Sequence, residues 1–265
     1  MSTATIRVER QSAALGAVIT GARLAGGADD ATLGLIQQAF LDYHVICITG
    51  QQDMSPADQL EFAARWGEIS VHPYVPSIEG YPGIMKIYDP TPLTQKWHAD
   101  TTHAERPPAL TMLLARIIPE VGGDTMWSNV HAAYEGLSEG LRATLHGLRA
   151  VHQGTELAAR AGLEKGQVTQ THPVVRTHPV TGRKALFVNG DYVSRIDGWT
   201  AQESAPLLDY LYAQVARAEY VYRHKWTVGD LVIWDNRSTQ HAVVGDVGGA
   251  ERMLHRVTIK GDRPA

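Results

Sequence analysis

The shortness of its apolar runs most constrains this chain. Val45 to Ile48, Leu110 to Ile118, Ala185 to Asn189, Tyr220 to Lys225, Leu231 to Trp234 and Met253 to Ile259 are apolar or alternating stretches of four to nine residues. Runs of that length suit strands and fall short of an ordinary helix. Turn residues punctuate them at Gly122-Gly123-Asp124, from His178-Pro179 through Gly182, at Val228-Gly229-Asp230 and at Gly248-Gly249. Many short strands bury their faces only by closing on one another. The expectation is therefore a mainly β fold with flanking helices, a barrel or jelly roll carrying its helices outside.

The helix signals are few. Ser55-Pro56 supplies a cap and a first-turn proline, with Gly67 closing that helix. Thr200 and Glu203 form a capping box that starts a helix running to about Arg217. Further helices are expected from Asp30 to Tyr43 and from Val130 to His146. The polar, glycine-bearing stretch from Glu156 to Thr171 reads equally as a mobile lid or a long surface loop. No repeat or Pro/Ser-rich linker divides the 265 residues, so a single domain spanning 1–265 is expected.

Charge and cysteine content exclude several functions. A net charge of -4 with no Lys/Arg run provides no footprint for nucleic acid or an anionic membrane. No apolar stretch approaches the roughly 20 residues that span a bilayer. The first ten residues, Met1 to Arg10, lack a signal-peptide core. The single cysteine, Cys47, lies in an apolar run and reads as a buried small hydrophobe with no internal disulfide partner. A cytoplasmic location follows as the expectation.

Metal-binding patterns are weak singly. His98 and Asp100 lie two apart, and on a strand both would face one ion. Yet 12 histidines and 28 acidic residues make such a triplet an accident of composition, and a second, His103-Ala104-Glu105, occurs. His241 follows the turn, strand and turn of residues 229–237 and stands where a strand could aim it into a barrel mouth. Arg252 and Arg256 lie four apart; on a strand both would share a face with Leu254, roughly 13 Å from each other. Solvent is the ordinary place for them. Pointing inward, each would need an anion, which an enzyme with two acidic substrates supplies.

The ordered set of His98-x-Asp100, Gly122-Gly123-Asp124-Thr125, Trp234-Asp235-Asn236-Arg237 with His241, then Arg252 and Arg256, resembles the taurine dioxygenase (TauD/TfdA) family of Fe(II)/2-oxoglutarate-dependent dioxygenases. The resemblance runs from about Ile6 to Pro264. It includes the spacings of eleven and fifteen residues from the distal histidine to the two arginines. It implies a double-stranded β-helix core in which His98, Asp100 and His241 are the metal ligands of a facial triad, leaving positions for 2-oxoglutarate and O2. It implies that Arg252 and Thr125 hold the far carboxylate of 2-oxoglutarate, where arginine's planar fork matches the carboxylate. Arg256, assisted by His72, is implied to bind the acidic group of the second substrate.

The implied reaction is hydroxylation of a small anionic organic molecule, coupled to decarboxylation of 2-oxoglutarate to succinate and CO2. Arg252-Met253-Leu254-His255-Arg256 and His72-Pro73 point to taurine-like sulfonates or alkyl sulfates. Tyr220 to Trp226 resembles the aryloxyalkanoate-cleaving branch, and Thr94 stands where a taurine-binding member carries asparagine. Asp100 argues against halogenation, because a halide needs the carboxylate's place. The alternative outside enzymes is a non-catalytic jelly-roll protein that binds small acids. The resemblance also suggests a homo-oligomer.

Overall fold

Strands from both ends of the chain meet in one sheet of the computed structural model, which describes residues 5–72, 75–88, 96–154 and 168–265. In chain order the first half contains β1 (Arg7–Arg10), β2 (Ala17–Thr20), α1 (Asp30–Tyr43), β3 (Val45–Ile48), α2 (Pro56–Ala64), β4 (Met85–Tyr88), β5 (Leu110–Ile117), β6 (Thr125–Asn129), α3 (Val130–Glu135) and α4 (Glu139–Leu145). The second half contains β7 (Arg149–Gln153), β8 (Thr169–Pro173), β9 (Val175–Thr177), β10 (Lys184–Leu186) and β11 (Val193–Ile196). It continues with α5 (Ala201–Val215), β12 (Val221–His224), β13 (Leu231–Asp235), β14 (Thr239–Val243) and β15 (Met253–Ile259). Seven strands pair in the order β1-β2-β3-β13-β5-β15-β4, and a smaller sheet pairs β12-β6-β14.

The central strands of the large sheet are largely apolar on both faces, and two different layers bury them. Ile46, Ile48, Met112, Leu114, Leu231, Ile233, Val257 and Ile259 pack outward with Leu33, Ile36 and Phe40 of α1 and Phe62 of α2. Val45, Cys47, Leu113, Ala115, Val232, Trp234 and Leu254 point the other way, onto Trp127 of β6 and Trp226. Burial on both faces is why these strands read as nearly continuous apolar runs. The mainly β jelly-roll architecture with helices outside is the one expected. A third cluster, of α3, α4 and α5 with the β7 to β11 region, packs beyond the small sheet.

The N-caps hold as expected, while α2 ends at Ala64 with Arg65 as its C-cap, short of Gly67. Ser55 and Thr200 both make capping boxes, with Asp58 and Glu203. The stretch from Val130 to His146 is two helices, because Gly136 ends α3 and Ser138 caps α4. A Cβ at Gly136 would collide with the Tyr220 hydroxyl. Of Ala185 to Asn189 only the start is strand, since β10 stops at Leu186. Asn189 instead accepts backbone N–H bonds from Asp191 and Tyr192 and shapes a turn. Thr94 and most of the Glu156 to Thr171 stretch lie outside the described residues.

Candidate metal centre

His98, Asp100 and His241 converge between the two sheets. One ligand atom from each lies within 4.8 Å of the other two, and all three residues are buried. They get there differently from a simple strand. His241 sits in β14 opposite Trp127, with its ring 4.8 Å from that of Trp234. His98 joins it through a single antiparallel bridge, N–H to carbonyl in both directions at 3.0 and 2.8 Å. The chain turns at Asp100 and Thr101, the latter at φ 40°, so His98 and Asp100 present one face to the site, as their spacing predicts, from a single bridge rather than a regular strand.

Hydrogen bonds prepare these side chains. His98 Nδ1 donates to the Lys96 carbonyl at 2.8 Å, which leaves Nε2 with its lone pair. Asp100 Oδ2 accepts from the Thr111 hydroxyl at 2.7 Å and from Arg256 at 2.8 Å. Its Oδ1 lies 3.8 Å from His241 Nε2, a gap that a divalent ion bonded to each at about 2.1 Å can bridge. Burial opposes ionisation of Asp100, but the Arg256 guanidinium paired with it outweighs that and holds the carboxyl below the usual range. Burial, helped by His98, drives His241 well below an ordinary imidazole, so it is neutral. Two imidazole nitrogens and a committed carboxylate, converging on one point, fit a divalent iron ion.

Asn236 braces the site from the turn after β13: its Oδ1 accepts the Asp100 N–H at 3.2 Å and the Trp234 indole N–H at 3.1 Å. Its Nδ2 donates to the Thr111 hydroxyl at 3.0 Å, so it braces Asp100 twice. Thr111 went unnoticed, although a fully buried threonine in the apolar run of β5 was a usable signal.

Both arginines point inward. A register shift between Met253 and Leu254 interrupts the pairing of β15 with β5, yet Arg252, Leu254 and Arg256 all face the interior. Arg252 donates from Nε to the Gly123 carbonyl at 3.1 Å and from Nη2 towards Thr125 Oγ1 at 3.5 Å, and lies over the Trp226 ring. Thr125 shares the inner face of β6 with Trp127, the partner of His241. Arg252 and Thr125 thus sit one strand step, roughly 7 Å, from the metal ligands. His72 is half-buried; its Nδ1 accepts the Val75 N–H at 3.0 Å, and burial and then Arg256 lower its pKa. A neutral imidazole accepting at Nδ1 carries its proton on Nε2.

The rival pair is not a ligand set. Glu105 is exposed near Arg263, and neither it nor His103 is among the grouped potential ligands of the described residues. Cys47, His224 and Asp230 form a second such group. Their atoms are already committed: His224 Nε2 donates to Asp230 at 3.0 Å, and Asp230 also accepts the Thr227 N–H. Burial pushes the Cys47 thiol up, in keeping with a buried small hydrophobe.

Comparison with known proteins places these features in context. The family model for the taurine catabolism dioxygenase TauD, TfdA family matches residues 9–258. An alkylsulfatase of Acinetobacter baylyi is 35% identical over 98% of this chain and 86% of its own length. An alpha-ketoglutarate-dependent sulfate ester dioxygenase of Pseudomonas putida is 37% identical over 94% of this chain and 88% of its own. The crystal structure of a taurine dioxygenase from Burkholderia xenovorans superimposes with a TM-score of 0.88 at 35% identity, covering 98% of this chain and 91% of that one.

Proposed function

The chain belongs to the TauD, TfdA family and is a 2-oxoglutarate-dependent dioxygenase, and from that premise we propose that it hydroxylates an alkyl sulfate ester or a sulfonate of similar charge. The observation that carries this reading is the three buried ligands beside two inward guanidinium groups. His98, Asp100 and His241 would hold Fe(II). Bound there, the iron supplies the redox chemistry that couples decarboxylation of 2-oxoglutarate, with O2, to hydroxylation of a C–H bond.

The remaining steps are the work of side chains. Arg252 and the Thr125 hydroxyl grip the far carboxylate of 2-oxoglutarate, paired with it by charge-assisted bonds. Arg256 and the Nε2–H of His72 take the substrate's anionic group and so fix which carbon faces the iron. Trp127 and Trp234, both fully buried, keep water from the floor of the site. Hydroxylation of a carbon that bears a sulfate ester oxygen gives an unstable adduct. It collapses by C–O cleavage to a carbonyl compound and sulfate.

The reading takes residues 1–265 as one domain, supported by the sharing of one sheet between β2 and β15. It puts the enzyme in the cytoplasm, working on a small molecule with no nucleic acid partner, and as a homo-oligomer. Among the described residues no helix is long and apolar enough to cross a membrane. Succinate release from labelled 2-oxoglutarate, with Fe(II) and ascorbate, tests the proposal against taurine, longer alkyl sulfonates, alkyl sulfates and aryloxyacetates. We expect coupling with alkyl sulfates or sulfonates. Coupling with aryloxyacetates alone would move the enzyme to that branch. No succinate with any anion would leave a binding protein.

A further inference from the structure

Arg256 already pairs its charge with Asp100. Its Nη2 lies 2.8 Å from Asp100 Oδ2, while its side chain keeps 19% of its exposure and its Nε reaches Thr258 Oγ1 at 3.3 Å. Asp100 is almost fully buried, and among the described residues Arg256 is the one Lys or Arg in an ion pair with it. Together they form a neutral pair. An anion approaching that pair meets little net charge, because the guanidinium is already satisfied.

We propose that Arg256 is also the positioning residue for the metal-ligating carboxylate, and that metal binding at Asp100 Oδ1 releases its charge for the substrate anion. A divalent ion neutralises Asp100 from the Oδ1 side. Arg256 then presents its charge to the sulfate or sulfonate while still hydrogen-bonding Oδ2. Metal and substrate therefore bind cooperatively through one guanidinium, and by linkage the coupling is equal in both directions. In the metal-free protein the same contact keeps the buried carboxylate from standing alone, a state of high cost. The inference rests on the proposed role of Arg256 as the anion's partner.

Calorimetric titration with hexyl sulfate tests it without turnover, in full-length protein with no 2-oxoglutarate, with and without saturating Co(II). We expect about tenfold or greater tightening of hexyl sulfate binding by Co(II) in the native chain. Asp100→Asn frees Arg256 without any metal. We expect that metal-free variant to bind hexyl sulfate about tenfold or more tightly than metal-free native protein. A merely structural role for the contact would not improve binding when a metal ligand is lost. Arg256→Gln should bind weakly and equally with or without Co(II).

Equal native affinities with and without Co(II) would overturn the coupling and leave the anion site standing. So would an Asp100→Asn chain no tighter than native, or Co(II) dependence that survives in Arg256→Gln through direct coordination. If Co(II)-loaded native protein and Arg256→Gln bind hexyl sulfate equally, or neither binds it, Arg256 is not the anion's partner and both readings fall.

Discussion

Asp100 is held in place by residues that never touch the metal. Thr111 donates to Oδ2, and Asn236 fixes both Thr111 and the Asp100 backbone. Groups that orient a metal ligand in this way typically contribute 10- to 100-fold in affinity. Thr111→Val and Asn236→Ala should therefore weaken Co(II) binding by about that factor while the fold persists, measured by competition with a chelating dye. Unchanged affinity in both variants would show that Arg256 alone positions the carboxylate. The two arginines separate by kinetics. Arg252→Ala should raise the KM for 2-oxoglutarate far more than that for the substrate, and Arg256→Ala the reverse. Losing one partner of a buried charged pair costs roughly 3–5 kcal/mol, so each effect should exceed a hundredfold. Equal effects on both KM values would remove the assignment.

Between residue and fold, the turn before β6 decides where Arg252 can lie. Gly123 has φ +73°, and a Cβ there would stand 2.9 Å from Arg252 Cδ and 2.8 Å from Val247 Cγ1. Gly123→Ala should push Arg252 off Thr125 and raise the KM for 2-oxoglutarate with little change in that for the substrate, as steady-state kinetics would report. Elements differed in how readily they could be read, and the reason is the same burial that builds the site. The strands β3, β5, β13 and β15 are covered on both faces, so their sequences are largely apolar and their bounds were found almost to the residue. In contrast, β6 reads Thr-Met-Trp-Ser-Asn and β14 reads Thr-Gln-His-Ala-Val, because the interior they face is a polar site. Of these two, β6 was missed, and only the end of β14 was seen. Asp100 lies in a turn that no periodicity encodes; only its order relative to His241, Arg252 and Arg256 gave it away.

At the scale of the whole molecule, the buried histidines outside the metal centre couple the fold to pH. Burial, and then His131, lowers His44 to about 4. Burial lowers His131 to about 4, and burial, and then His172, lowers His152 to about 3. His44 and His131 stand with their rings 5.3 Å apart, and His131 lies 5.8 Å from His178, which donates to the buried Asp235. His44, His131 and His152 stay neutral in the folded chain and gain protons near pH 6.5 once it unfolds. The unfolded state therefore binds more protons below that pH, and acid favours it. Their contribution is complete above about pH 6.5 and is lost progressively as the pH falls towards 4, at roughly 1.4 kcal/mol per pH unit for each group. Asp100 and Asp235 are also held below the usual carboxylate range, by Arg256 and Arg237 against burial, so their contribution is lost only in stronger acid, outside this window. Metal-free protein, in which iron release plays no part, should then melt about 5 °C or more lower at pH 5 than at pH 7. His152→Gln should flatten that dependence, because it removes the group with the widest gap between its folded and unfolded protonation. A melting temperature indifferent to pH from 7 to 5 would mean that the folded chain admits these protons, and that the histidine layer beside the small sheet opens to water without unfolding.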